Sequence, residues 1–222
     1  MKKLFLALLV TAGCSSGGGG GQSDSMSETD FETKIATSIA FDPALLKNGD
    51  RVSYLVKQTG ENSQRYTWSA VSEDRAGLWI ENNMPFNVSR MVVKTKLDRS
   101  GKILEQWVGE PGGIPGQTFP SPKGAAAQPK PVRDSSSATA DSKEEPDRIV
   151  VSGQSYDCTR VTTTLTYPDR RKSKMVNWFS KDVPFAASRT LGGLVKREFG
   201  RLSMELIKID RDARPELLIP PK

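Results

Sequence analysis

Polar and apolar positions divide the chain into unlike stretches. Leu4 to Val10 (LFLALLV) is an unbroken apolar run behind Lys2 and Lys3. It is too short to span a bilayer as a helix, which takes about 20 residues. A charged start, a short apolar run and the small residues Thr11, Ala12 and Gly13 leading to Cys14 predict a secretory signal over residues 1–13. Ser15 to Ser25 (SSGGGGGQSDS) has almost no side chain able to bury surface, so residues 14–28 read as a flexible tether. From Thr29 to Leu46, Phe31, Ile35 and Ile39 recur every four residues and predict a short helix capped by Thr29 or Asp30.

Past the turn signal Asn48-Gly49-Asp50 the period changes to two. Val52, Tyr54 and Val56 alternate with polar neighbours, as do Tyr66, Trp68 and Ala70. Strand signals follow at Leu78 to Ile80, Met91 to Leu97 and Ile103 to Val108. They resume at Arg148 to Ser152, Tyr156 to Tyr167, Met175 to Ser180, Leu194 to Phe199 and Leu202 to Ile209. Between the two groups, residues 111–147 hold seven of the fourteen prolines and few large apolar side chains, so they read as a disordered insertion. The fold class is therefore mainly β. The prediction is a single domain over 29–222, built as one curved antiparallel sheet or half-barrel of roughly nine or ten strands with one N-terminal helix.

Composition narrows the chemistry. The formal charge is +6, from 32 basic and 26 acidic residues, and falls to +4 once Lys2 and Lys3 leave with the signal. That mild excess excludes a nucleic-acid partner, which needs basic clusters interleaved with aromatics. Arg170-Arg171-Lys172 reads as a solvated hairpin turn beside Pro168-Asp169. The chain has no histidine, which excludes Ser-His-Asp triads, Cys-His pairs and His-ligated zinc. No phosphate loop, nucleophile elbow or Cys-x-x-Cys is present, so the expectation is no enzyme, no cofactor and no metal. Glu81, Glu105, Glu198 and Glu205 lie on or beside predicted strands, an ordinary surface count rather than a paired-carboxylate site.

Ala12-Gly13-Cys14 resembles the lipobox of bacterial lipoproteins, with Thr11 where leucine is usual. The resemblance implies that Cys14 receives a diacylglyceryl group and tethers the domain to a membrane. Ser15 and Ser16 look like signals for sorting to the outer membrane, facing the periplasm or exposed at the surface. Farther on, Asn48 to Tyr54, Gly77 to Glu81, Val150 to Cys158, Asn177-Trp-Phe-Ser-Lys-Asp-Val-Pro184, Gly193-Leu-Val-Lys196 and Asp212 to Glu216 resemble a set of uncharacterised envelope lipoproteins. Their plan is broadly similar to half-barrel lipoprotein carriers, in which a curved sheet lined by a helix cups an acyl chain.

Two side-chain sets remain as candidates. With Cys14 anchored, Cys158 is alone, and it shares a strand side with Tyr156, so a small buried hydrophobe is the expectation. Of Trp68, Trp79, Trp107 and Trp178, all in strand segments, Trp68 and Trp178 are expected with Tyr54 to line one apolar face. That face is either core or a pocket for a hydrophobic ligand. Two functions follow: a membrane-anchored structural or interaction module with an envelope protein partner, or a lipid-binding protein using a cavity in its curved sheet.

Overall fold

The computed structural model describes residues 37–86, 89–113, 117–118, 139–166 and 170–217. Alternating apolar and polar positions become strands β1 (Arg51–Gln58), β2 (Gln64–Asp74), β3 (Gly77–Phe86), β4 (Ser89–Leu97) and β5 (Ile103–Gly109). A two-residue strand β6 (Gln117–Thr118) follows. Then come β7 (Thr139–Val151), β8 (Gln154–Thr166), β9 (Lys172–Ser180), β10 (Gly193–Phe199) and β11 (Leu202–Asp210). They form one open sheet in the order β6-β5-β4-β3-β2-β1-β11-β10-β9-β8-β7, antiparallel at every ladder. The expected mainly β class and single antiparallel sheet are what is found, with ten substantial strands and the short β6.

The sheet curls. β7 lies four places from β11, which in a flat sheet would separate them by about 19 Å. Yet Ser152, in the β7–β8 turn, donates its hydroxyl to the Leu206 carbonyl of β11 at 3.0 Å. The inner face carries Val52, Tyr54 and Val56 from β1, Trp68 and Ala70 from β2, Leu78 and Ile80 from β3, and Leu97 from β4. Phe199 of β10 and Leu202, Met204 and Leu206 of β11 join them in one apolar core. Tyr156 and Cys158 are both buried and share one side of β8, as their alternation predicts.

Two expectations need correction. The helix expected to run to Leu46 does not. From Ser38 the chain is irregular and then forms only a short 3-10 turn at Pro43–Leu45, started by the Asp42 side chain accepting from the Ala44 N–H. Ile39 is buried all the same, and Phe41 meets Phe185 edge-on, so these apolar residues cap the core without helical periodicity. Residues 29–36 lie outside the described part. The insertion expected at 111–147 is also shorter: Thr139 to Asp147 belong to β7, paired residue for residue with β8. They carry no apolar alternation because β7 is an edge strand held by its ladder rather than by burial. Residues 119–138 lie outside the described part.

Candidate functional site

The three residues expected to share a face do not all meet. Tyr54 and Trp68 do, with ring centroids 5.6 Å apart in an edge-on contact, and Tyr66 stacks on Trp68 at 6.1 Å. The Tyr54 hydroxyl donates to the Leu194 carbonyl at 2.7 Å, and burial drives its pKa far above the ordinary tyrosine range. Tyr54 and Trp68 are packed core side chains, closed over by their neighbours, and Tyr66 is half-buried against them. Nearby on the same face, Arg197 donates from Nε to Asn177 Oδ1 at 2.6 Å and from Nη1 to the Ser38 carbonyl at 2.5 Å. Burial lowers its pKa to about 10.

Trp178 points the other way. In the ladder, Arg197 faces Asn177 and Lys196 faces Trp178, so Trp178 lies on the outer side while its neighbour Asn177 lies with the core. Its indole N–H donates to Asp147 Oδ2 at 2.8 Å, and Lys196 Nζ sits 5.5 Å from the ring centroid. Around it opens a groove of about 360 Å³ with Arg160 and Lys143 on one side, Lys174 and Glu198 on the other, and Val176 and Thr162 on the floor. Strand register explains this grouping, since Arg160, Thr162 and Thr164 of β8 stand opposite Trp178, Val176 and Lys174 of β9. The groove's carboxylates are engaged: Glu145 with Arg160 and Lys143, Glu198 with Lys196.

A second polar cluster lies on the outer side of the β1–β4 half. Glu81 and Lys94, directly opposite on β3 and β4, are buried and 3.2 Å apart. The C-terminal segment crosses over them as a strap. Glu81 accepts the N–H groups of Glu216 and Leu217 at 2.7 and 3.1 Å, and Lys94 donates to the Leu217 carbonyl at 2.8 Å. Glu216 in turn takes hydrogen bonds from Asn83 and Arg51. Glu81 is therefore a structural anchor. Glu105 accepts the Trp107 indole N–H, while Glu198 and Glu205 are both bridged by Lys196.

Neither the groove nor the strap was singled out from sequence. The signal for the groove was present in the outward positions of β8 and β9, but using it required knowing which side of β9 faces out. Cys14 lies outside the described residues. Among the described residues no group of three potential metal ligands comes together. No helix among them is long and apolar enough to cross a membrane. The sequence matches no known protein family and no curated protein.

Proposed function

We propose that this chain is a bacterial envelope lipoprotein, anchored through acyl chains on Cys14, whose β domain is a non-enzymatic interaction module. The anchor rests on the Lys2-Lys3 start, the Leu4–Val10 run and Ala12-Gly13-Cys14. The module rests on one observation: the inner face is packed with the protein's own side chains, Tyr54 and Trp68 among them, while the outer face of β7–β10 presents an open groove. A hydrophobic ligand on the inner face would have to displace that packing.

Two measurements test the two halves. Cys14→Ala should abolish labelling by a palmitate analogue and shift the protein out of the membrane fraction; label retained by the variant would overturn the anchor. For the module, the folded chain lacking residues 1–25, and so free of acyl groups that would take up the dye, should give no saturable binding of a hydrophobic fluorescent probe. Saturable binding that Trp68→Ala removes while the melting transition persists would replace the module with a lipid-binding protein.

A further inference from the structure

We propose that the outer groove around Trp178 binds a phosphorylated saccharide. This deepens the module reading and rests on it. The groove's volume, about 360 Å³, falls within the range of small-ligand sites, about 300–1,000 Å³. Its floor is Val176 and Thr162, with the margin of the buried Trp178 indole, pinned by Asp147 beneath Lys196, adding to the apolar part. An apolar floor with polar walls suits a sugar ring, which presents C–H groups on its faces and hydroxyls at its rim.

The charge balance supplies the second half. The lining carboxylates already have cations: Glu145 has Arg160 and Lys143, and Glu198 has Lys196. Lys174 has no side-chain hydrogen bond or ion pair among the described residues, and neither has Lys172 one pleat farther along the same side of β9. Arg160 Nε is buried and also without an acceptor among them. A buried N–H left unpaired is costly, a penalty that an oxygen reaching it would remove. The Lys174 ammonium, one Arg160 guanidinium N–H and the Thr162 hydroxyl form a donor set matched to a phosphate, whose oxygens only accept near neutral pH. Glu198, half-exposed at the rim, is an acceptor for a sugar hydroxyl.

The test is titration of the purified full chain at low salt, by calorimetry, with glucose 1-phosphate, inorganic phosphate and glucose as probes. Glucose 1-phosphate should bind saturably, at least ten-fold more tightly than inorganic phosphate, and glucose should give no signal under the same conditions. Lys174→Glu should weaken glucose 1-phosphate binding by ten-fold or more with an unchanged melting temperature, and Lys143→Glu should weaken it less, because Lys143 is shared with Glu145. Equal affinity for phosphate and sugar phosphate would overturn the saccharide site and leave a plain anion patch. No binding, or binding indifferent to both variants, would overturn the proposal outright. Neither failure would alter palmitate labelling at Cys14 or the hydrophobic-probe result, so the underlying reading is judged separately.

Discussion

Glu81 and Lys94 form an ion pair that water scarcely reaches, yet neither charge is stranded. Both carboxylate oxygens of Glu81 accept strap amides, and Lys94 adds the Leu217 carbonyl to its carboxylate partner. Removing one member leaves the other buried without compensation, a loss of about 3–5 kcal/mol. Lys94→Met and Glu81→Gln should each lower the urea midpoint steeply, and the double variant should be less unstable than the sum of the singles. Additive losses would show that the two charges do not support each other. Cys158 gives a second residue-scale prediction. Burial, reinforced by the carboxylates of Asp147, Asp157 and Asp182, raises its pKa from 9.0 to about 11. The neutral thiol's contribution to stability is then complete below about pH 9 and lost as pH rises through about 11. In a Cys14→Ser background, Cys158 should resist a thiol reagent at pH 8 until the protein unfolds. Stability should fall across that alkaline window in the parent more than in Cys158→Ala.

At the scale of elements, β7 is a thirteen-residue edge strand, and its sequence guards it. Its outer rim carries Lys143, Glu144 and Arg148, and Pro146 interrupts the run opposite Thr159. Proline is tolerated on an edge where its missing N–H would face solvent, and there it denies a docking strand one donor. Pro146→Val should restore the donor and raise β propensity, so the variant should self-associate in sedimentation at concentrations where the parent is monomeric. A variant that sediments like the parent would show that the charges alone protect the edge. The same strand shows where the pattern of residues stops being informative. β1 and β11 were legible because Val52, Tyr54 and Val56, and Leu202, Met204 and Leu206, alternate cleanly against polar neighbours. Thr139 to Arg148 has no such alternation, since pairing rather than burial holds it. Trp178 is buried with the core cluster but on the other side of β9, for another reason. Val176 and Trp178 compete with Met175 and Phe179 for the inner side, and an irregularity between Leu194 and Lys196 reverses the facing of the neighbouring strand. The helix expected over 29–46 stops short of Leu46 because Ile39 reaches the core from an irregular segment; Phe31 and Ile35, the other two residues of its spacing, lie outside the described residues.

For the molecule as a whole, the strands run as two meanders, β1 to β6 and β7 to β11, joined side by side through the β1–β11 ladder. The chain passes from one edge of the sheet to the other between Thr118 and Thr139. Replacing 119–138 with a Gly/Ser segment of equal length should change stability by no more than about 1 kcal/mol, since loop-closure cost depends weakly on composition and length. Replacing 111–147 should lower the melting temperature by many degrees, because it removes the first nine residues of β7 and with them the partners of Arg160 and Trp178. Equal melting temperatures for the two replacements would show that this part of β7 adds nothing to the fold. The seam between the meanders also governs how the domain meets mechanical load. A pull on the N-terminal side enters the sheet at β1, in the middle, where hydrogen-bond ladders to β2 and β11 share the force. Before it arrives there, the Asp42–Ala186 and Gly49–Ala70 backbone bonds and the Arg211–Asp50 ion pair must yield. A domain pulled from its N-terminal side resists peeling, whereas one pulled from β7 would unzip a single ladder at a time.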